Sequence, residues 1–448
     1  MKRRIRSLAR QTLRFATSWL PSRQRYALMR NAVRVEEPPP DNLVFKLAET
    51  EDELTACFKL LHDAYVGAGF MAPDPSGMRV TLYHALPSTT TLLAKCDDQV
   101  VGTISLIRES ALGFPLQRIF DIDAIRAEGG NIAEVSALAV HRRWRNKGGQ
   151  VLFPLMKFMR EYAVKYFDTR HLVIAVNPRH IPMYEGLLCF RRLKQNPVAH
   201  YDFVNGAPAV GAHLDLKKMP DLYRRAYRNK PPGKSLYHYF LELTLKHFQF
   251  PDKRFFTTND PVMTPALINH FFNRETDAFR RATERERVLL HAIYDLPAYK
   301  AYLPPLPGNT QHTELRHRQH QRFSVMCPAE FKVMLPGSAK PISYPMKVIE
   351  CSRTGFRATC DSEIPLTTEG TAYIELGESD RCVLKVFVLR HGRVSKTILM
   401  FKLKEPDEVW LKFVRALRMA RTHDELGDAT RFLASTSSGT TQAPVRAA

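Results

Sequence analysis

The stretch EVSALAV at residues 134–140, followed after four residues by RNKGGQ at residues 145–150, decides the fold that the sequence predicts. The first run is apolar enough for a buried strand, and the glycines of the second form a turn that opens an apolar-periodic helix reaching Phe167. Such a turn points free backbone N–H groups and a helix dipole at an anion. Arg145, Gly148 and Gly149 are therefore candidates for binding a pyrophosphate. A plain turn before a helix is the alternative.

The flanking sequence alternates between strand and helix patterns. Two apolar runs are joined by a turn at Asp97-Asp98, and another buried strand follows the predicted helix. Strands interleaved with helices in this way indicate a mixed α/β sheet with covering helices. The predicted flanking strands are residues 43–47, 89–95, 100–107 and 172–176, and a helix is predicted over residues 51–65.

The segment NPRHIPMY at residues 177–184 places Tyr184 one helical turn beyond His180. A tyrosine at that point could hydrogen-bond or protonate a departing thiolate, as acyl transfer from a thioester requires. The alternatives are a core tyrosine and, for His180, a helix cap.

These motifs, together with YHALP at residues 83–87 and VGTIS at residues 101–105, resemble the GNAT superfamily. Within it they resemble the N-acyl amino acid synthase (FeeM-like) family, which is related to the acyl-homoserine lactone synthases. The likeness runs from about residue 43 to residue 200. It implies transfer of a fatty acyl group from an acyl carrier protein or CoA to the amine of an amino acid or similar small amine, with no tightly bound cofactor.

The resemblance also implies roles for individual residues. Glu134 would be the general base, directly or through water, and Tyr184 would be the acid. Leu138 and Val140 would offer their backbone to the pantetheine arm of the donor, and Asn177 and His180 would belong to the same donor and substrate site. For Glu134 the alternative is a salt-bridge partner on an edge strand.

The sequence changes character after LPPLPG at residues 303–308. Five or six short β runs within about a hundred residues indicate a small barrel. A helix over residues 407–421 follows. The predicted strands are residues 327–333, 342–349, 371–376, 382–389 and 397–403.

Arg318 and Arg322 lie four residues apart ahead of this barrel, and two such arginines can clamp phosphates or stack on guanine rings. With the later ECSRTG at residues 350–355 they resemble the PilZ domain, a receptor for cyclic di-GMP. The resemblance implies that both arginines hold the dinucleotide and that Ser352 and Gly355 form an opposing turn. PilZ domains usually have Asp or Asn where this chain has Glu350. A barrel that only packs on its neighbour is the alternative.

The net charge of +21 is uneven, since residues 1–34 contain ten Lys or Arg and no acidic residue. Apolar residues between Ile5 and Leu20 recur at roughly helical spacing, which is typical of a basic amphipathic helix. Three interpretations compete: an anchor on an anionic membrane surface, a disordered basic arm, or a helix packed on its own protein.

Two further basic groups could steer an acidic acyl carrier protein, and the alternative for both is a solvated face. The first group is Arg224, Arg225, Arg228 and Lys230, and the second is Arg142, Arg143 and Arg145.

The predicted organisation has five parts. Residues 1–40 form a basic arm and proline linker, 41–302 a GNAT-like N-acyltransferase domain with a helical extension, and 303–312 a second linker. Residues 313–421 form a PilZ-like barrel and helix, and 422–448 a disordered tail.

Several classes of protein are disfavoured. Scattered cysteines and histidines indicate neither a structural metal nor a disulfide framework, and no apolar run is long enough for a bilayer. The absence of a base-reading motif argues against specific nucleic-acid binding.

We expect a cytoplasmic protein, peripheral at the inner membrane through residues 1–34. The competing hypothesis is a catalytically inactive GNAT scaffold that acts as a cyclic di-GMP-responsive interaction protein.

Overall fold

The computed structural model describes most of the chain, in two compact units. The first unit contains described residues up to Arg79, 91–164 and 169–249, and the second contains 80–90, 165–168 and those from Phe250 onward. The domain limits predicted from the sequence stay predictions. The described residues are 20–35, 38–110, 112–145, 147, 149–251, 255–257, 263–294, 297–306, 322–334, 340–391 and 397–419.

A seven-stranded mixed sheet forms the first unit, in the order β1-β2-β3-β4-β5-β7-β6. Strands β4 and β5 pair parallel, whereas the pairs β1–β2, β3–β4, β5–β7 and β6–β7 are antiparallel. The strands are β1 (Leu43–Leu47), β2 (Thr89–Cys96), β3 (Gln99–Arg108), β4 (Asn131–Val140), β5 (Thr169–Val176), β6 (Arg191–Arg192) and β7 (Val210–Asp215).

Six α-helices belong to the described part of this unit: α1 (Ser22–Ala32), α2 (Glu51–Val66), α3 (Asp123–Ala127), α4 (Leu152–Phe167), α5 (Ile181–Gly186) and α6 (Met219–Ala226). Helix α2 begins where the sequence predicts, because the Thr50 hydroxyl accepts the Glu53 N–H and three acidic residues occupy its first turn. Cys57 of α2 hydrogen-bonds to Thr103 on one face of β3, and helix α4 packs on the opposite face. A Cβ at Gly102 of β3 would lie 2.7 Å from Val151, just before α4. The sheet is therefore covered by helices on both faces.

Helix α1 is packed on its own protein. The Tyr26 hydroxyl donates to Glu185 at 2.9 Å, and Arg30 donates to the Gly186 carbonyl at 2.9 Å. Gly186 allows this approach, since a Cβ there would lie 2.9 Å from the Tyr26 ring. The third interpretation of the basic arm therefore holds for Ser22–Ala32. The amphipathic segment predicted between Ile5 and Leu20 lies outside the described residues, except Leu20 itself.

The second unit contains a closed six-stranded antiparallel barrel, in the order β10-β13-β12-β11-β8-β9, with β9 pairing with both β8 and β10. Its strands are β8 (Arg322–Val333), β9 (Ile342–Ser352), β10 (Gly355–Thr359), β11 (Glu369–Glu375), β12 (Arg381–His391) and β13 (Ile398–Leu403). The α-helices in the described part of this unit are α7 (Pro265–Asn269), α8 (Glu284–Ile293), α9 (Pro297–Lys300) and α10 (Glu408–Met419).

Helix α10 contributes to the barrel core. Trp410 is 1% exposed and its indole N–H donates to the Ser352 carbonyl at 3.0 Å. Its ring lies 5.9 Å from that of Phe356 on β10. A small barrel thus gains a large aromatic side chain that its own strands do not supply.

The predicted elements agree with the structure in type and approximate position. Strands β6, β7 and β10 are missing from the prediction, and β10 begins at Gly355, the last residue of the motif at residues 350–355. Helix α4 begins at Leu152 rather than at Gly149. None of the described helices has the length and apolar character needed to cross a membrane. The predicted disordered tail lies outside the described residues.

Candidate functional site

Strands β4 and β5, near the centre of the sheet, separate partway along their length. The parallel pairing of β4 with β5 runs from Asn131↔Thr169 to Glu134↔Val173, and β5 continues as a partner of β7 up to Val176. Beyond Glu134, strand β4 also carries a bulge against β3, where Ala137 has a φ of +53°. A bulge bends the strand that contains it, so the second half of β4 turns away from β5. The gap opens immediately after Glu134.

Glu134 lies at the apex of this gap and is 2% exposed. Its Oε2 accepts the backbone N–H of Leu116 at 3.0 Å. Burial raises the pKa of the Glu134 carboxyl to about 8, against the opposing effect of that hydrogen bond. A carboxyl that titrates near neutral pH can exchange protons with a substrate. The edge-strand alternative is wrong, because β4 lies between β3 and β5.

Glu134 shares a row of side chains with a neutral histidine. The pairs Glu134↔Val173 and Val173↔His213 put Glu134 and His213 on the same face, two strand spacings or about 10 Å apart. Burial and the neighbouring His171 lower the pKa of His213 to about 4. His213 is therefore an uncharged polar group on the face that Glu134 occupies.

Tyr184 is carried by α5, the short helix that follows β5. It is 5% exposed, and its ring packs edge-on against Phe190 at 5.5 Å. Burial, with a smaller contribution from Tyr65, raises the pKa of Tyr184 above its ordinary value. The phenol therefore keeps its proton at neutral pH, which is the form that an acid requires.

Asn177 and His180 form the turn that joins β5 to α5. The His180 N–H donates to the Asn177 carbonyl at 2.8 Å, and the Asn177 side chain accepts the Arg179 N–H at 3.1 Å. His180 is exposed at the N-cap position of α5. The His180 side chain makes no capping hydrogen bond at this position, so both interpretations of His180 stay predictions. Asn177 stabilises the turn that sets the direction of α5.

The glycine turn before α4 is only partly described, since Gly148 lies outside the described residues. Gly149 has a φ of +81°, and a Cβ there would lie 2.4 Å from the Phe153 ring, so this position requires glycine. Arg145 is exposed, and its Nε donates to the Val140 carbonyl at 2.7 Å. The structure thus brings Arg145 and Val140 together at the end of β4.

A basic cavity of about 320 Å³ lies beside α6 in the same unit. Tyr227 anchors this region to the end of α5, because its hydroxyl donates to the Leu187 carbonyl at 2.7 Å. The cations were predicted from the sequence, whereas the concave surface that they share with an aromatic residue and a histidine was not. The lining includes Arg224, Arg228, Lys230, Tyr237, His238 and Glu242.

One cluster in the first unit has metal-ligand chemistry. Ligand atoms of Glu128, His171 and Asp215 lie within 4.8 Å of one another. However, Lys218 pairs with Glu128 at 3.0 Å, and Arg170 pairs with Asp215 at 3.2 Å. Burial raises the pKa of the Asp215 carboxyl, but hydrogen bonds from Arg170 and Lys218 outweigh this effect and lower the pKa to about 2. The cluster is a salt-bridge network, and the expectation of no structural metal stays a prediction.

Three of the four residues predicted for the nucleotide site come together on the barrel. Arg322 at the start of β8 is in register with Ser352 on β9. The Ser352 hydroxyl donates to the Gly355 carbonyl at 3.0 Å and closes the β9–β10 hairpin. A Cβ at Gly355 would lie 2.4 Å from the Phe401 carbonyl, so this position requires glycine. Arg318 lies outside the described residues.

Comparison with known proteins bears on the first unit. Residues 56–215 match the family model for the N-acyl amino acid synthase FeeM. The comparison with curated proteins gave no match. The predicted resemblance to FeeM is thus confirmed for this part of the chain, whereas the resemblance of the barrel to PilZ stays a prediction.

Several solved structures of synthases are similar to part of this chain. FeeM, an N-acyl amino acid synthase from uncultured soil microbes, is 25% identical over 42% of this chain and 97% of its own, with a TM-score of 0.36. The CoA-dependent acyl-homoserine lactone synthase BjaI is 19% identical over 47% of this chain and 95% of its own, with a TM-score of 0.33. The AHL synthase LasI is 16% identical over 39% of this chain and 90% of its own, with a TM-score of 0.29.

The predicted fold class is confirmed: the chain combines a GNAT-like mixed α/β sheet with a closed six-stranded barrel. Leu116 and Ala137, which hold and shape the surroundings of Glu134, were not predicted from the sequence. A leucine backbone N–H and an alanine in a left-handed conformation leave no signal in residue type or periodicity.

Proposed function

We propose that this protein is an N-acyltransferase that moves a fatty acyl group from a thioester to the amine of an amino acid or similar small amine. The observation that carries the proposal is the buried Glu134, whose pKa is raised to about 8 at the point where β4 leaves β5. The match of residues 56–215 to the FeeM family supports the same reaction class.

In this proposal Glu134 and Tyr184 move the protons. The amine nitrogen attacks the thioester carbonyl carbon, and an N–C bond forms as the C–S bond breaks. The Glu134 carboxylate takes the proton that the nitrogen loses, directly or through water, and Tyr184 gives a proton to the departing thiolate. The products are an amide and a free thiol. Leu138 and Val140, on the part of β4 that diverges from β5, would present backbone to the pantetheine arm.

The donor would be held by the turn before α4. Arg145 and Gly149 flank this turn, and the first amides of α4 favour an anion. Asn177 and His180 would border the site from the end of β5. If the donor is an acyl carrier protein, its acidic surface would meet Arg224, Arg228 and Lys230, whose side chains line one cavity. The CoA donor is the alternative.

The test is direct acylation. The full chain is incubated with acyl carrier protein thioesters or acyl-CoA and a panel of amino acids, and N-acyl products are detected by mass spectrometry. We expect product from the unmodified chain and a loss of about 100-fold or more in Glu134→Gln and Tyr184→Phe. Matched controls are Glu53→Gln and Tyr201→Phe, a carboxylate and a tyrosine that are also buried in the first unit. Absence of product across the panel would favour the inactive scaffold.

We further propose that the barrel binds cyclic di-GMP and makes the transfer reaction responsive to it. Arg322 would bind the dinucleotide beside the Ser352–Gly355 hairpin, with Arg318 as its partner. Calorimetric titration of cyclic di-GMP into the full chain should give binding that Arg322→Ala removes. Arg381→Ala, an arginine ion-paired with Glu375 elsewhere on the same barrel, is the control. Titration without heat in the unmodified chain would contradict the proposal.

The location of the protein is part of the proposal. A cytoplasmic enzyme with a basic segment at residues 1–34 would associate with the anionic surface of the inner membrane. Sedimentation with vesicles containing anionic lipid should retain the full chain at low salt and release it as salt rises. Equal sedimentation of the chain with neutral and with anionic vesicles would contradict this interpretation.

A further inference from the structure

The outer face of three barrel strands carries a small charged group. Strand β9 lies between β8 and β10, and Glu350 on β9 pairs in register with Ser324 on β8 and Arg357 on β10. Arg322, two residues before Ser324, lies on the same face because side chains alternate along a strand. Two arginines on the outer strands therefore flank one carboxylate on the middle strand.

Glu350 contacts both arginines, each through a different oxygen. Its Oε1 lies 2.7 Å from Arg322 Nη1, and its Oε2 lies 3.5 Å from Arg357 Nη1. The side chains of Arg322 and Glu350 are 34% and 23% exposed, so solvent can reach the group. A carboxylate that offers two oxygens to two guanidinium groups uses the same donors that would bind the oxygens of a phosphate.

We propose that Glu350 is an internal anion that occupies the arginine site of the barrel and raises the ligand concentration needed to fill it. This inference rests on the proposed binding of cyclic di-GMP. A phosphodiester that approaches Arg322 must displace the Glu350 carboxylate, because the two negative charges repel each other. When Glu350 moves aside, Arg357 is released as well and provides a second cation for the phosphate. Glu350 thus sets the threshold of the response.

The test compares the affinity of full-length variants for cyclic di-GMP by calorimetry. Because Glu350→Gln keeps the side-chain shape and removes the charge, we expect binding tighter by about fivefold or more than in the unmodified chain. The matched control is Glu375→Gln, which removes another partly exposed carboxylate paired with an arginine on the same barrel. Its affinity should equal that of the unmodified chain. Adding Arg322→Ala to Glu350→Gln should remove the gain.

The outcomes separate this inference from the proposed function. Tighter binding by Glu350→Gln, or binding by that variant alone, supports the inference. Equal or weaker binding by Glu350→Gln overturns it and leaves the proposed nucleotide binding standing. Absence of binding by every variant, with each protein folded by circular dichroism, overturns both.

Discussion

The backbone N–H of Leu116 donates to Oε2 of Glu134 at 3.0 Å, across eighteen positions of sequence. This bond places the short helical turn Pro115–Arg118 against the Glu134 carboxylate, at the point where β4 separates from β5. It stabilises the charged carboxylate, whereas burial favours the protonated form and prevails. The result is a carboxyl group that changes protonation near pH 8. In the proposed reaction it takes the proton that the amine acceptor loses.

The raised pKa of Glu134 predicts a specific dependence of stability on pH. The folded chain keeps the proton between about pH 4.5 and 8, whereas the unfolded chain releases it, so this contribution is lost as pH rises through 8. Glu134→Gln does not titrate. Its free energy of unfolding, relative to the unmodified chain, should rise by on the order of 2 kcal/mol between pH 6 and pH 9. Asp98→Asn, in the exposed β2–β3 turn, is the control for thermal melts. A pH-independent difference would contradict the buried position of Glu134.

The turn before α4 should not tolerate a side chain at Gly149. Its φ of +81° and the 2.4 Å approach of a Cβ to the Phe153 ring act together. We expect Gly149→Ala to lower the free energy of unfolding by on the order of 2 kcal/mol. Gly77 has a similar φ of +63° with open space around it, so Gly77→Ala measures the cost of the backbone conformation without a steric contact. Equal losses in the two variants, measured by denaturant unfolding, would show that the Phe153 contact contributes nothing.

Helix α1 should loosen when its bond to α5 is removed. Tyr26→Phe leaves Glu185 paired with Arg192 but removes the 2.9 Å hydrogen bond from the hydroxyl. Since such a bond contributes about 1 kcal/mol, amide hydrogen exchange within Ser22–Ala32 should become roughly fivefold faster. Arg23→Ala, an exposed position on the same helix, should leave the rate unchanged. Unaltered exchange in Tyr26→Phe would mean that the packing of α1 does not depend on this contact.

The barrel should depend on Trp410 of α10. Trp410→Ala removes a buried indole and its bond to Ser352, and we expect a loss of about 3 to 5 kcal/mol. The neighbouring Val409 is 42% exposed, so Val409→Ala should cost far less. Limited proteolysis of the second unit under increasing denaturant distinguishes the two. Equal resistance of both variants would contradict the role of α10 in the barrel core.

Much of the fold follows from local pattern. The apolar run around Glu134 and the periodicity of α4 predict a strand and a helix because side-chain burial repeats every two or 3.6 residues. The bulge at Ala137 could not be predicted, since alanine ordinarily avoids positive φ and adopts it here within the sheet. Strand β10 was missed for a different reason, because it has only five residues and begins inside the motif at residues 350–355.

The candidate sites show the same division. Glu134, Tyr184 and Arg322 could be predicted as site residues from residue type and position in a motif. Their partners could not, because Leu116 reaches Glu134 through a backbone N–H and Glu350 reaches Arg322 across the barrel strands. Contacts between residues distant in sequence depend on the register of the sheet, which no local pattern specifies.

The most direct test of the central claim is the rate of N-acylation as a function of pH, in the full chain and in Glu134→Gln. We predict that kcat/KM of the unmodified chain rises with pH and levels off above an apparent pKa near 8, as Glu134 loses its proton. Glu134→Gln should lose this limb together with at least about 100-fold in rate. Equal rates and equal pH profiles in the two proteins would contradict the assignment of Glu134 as the base.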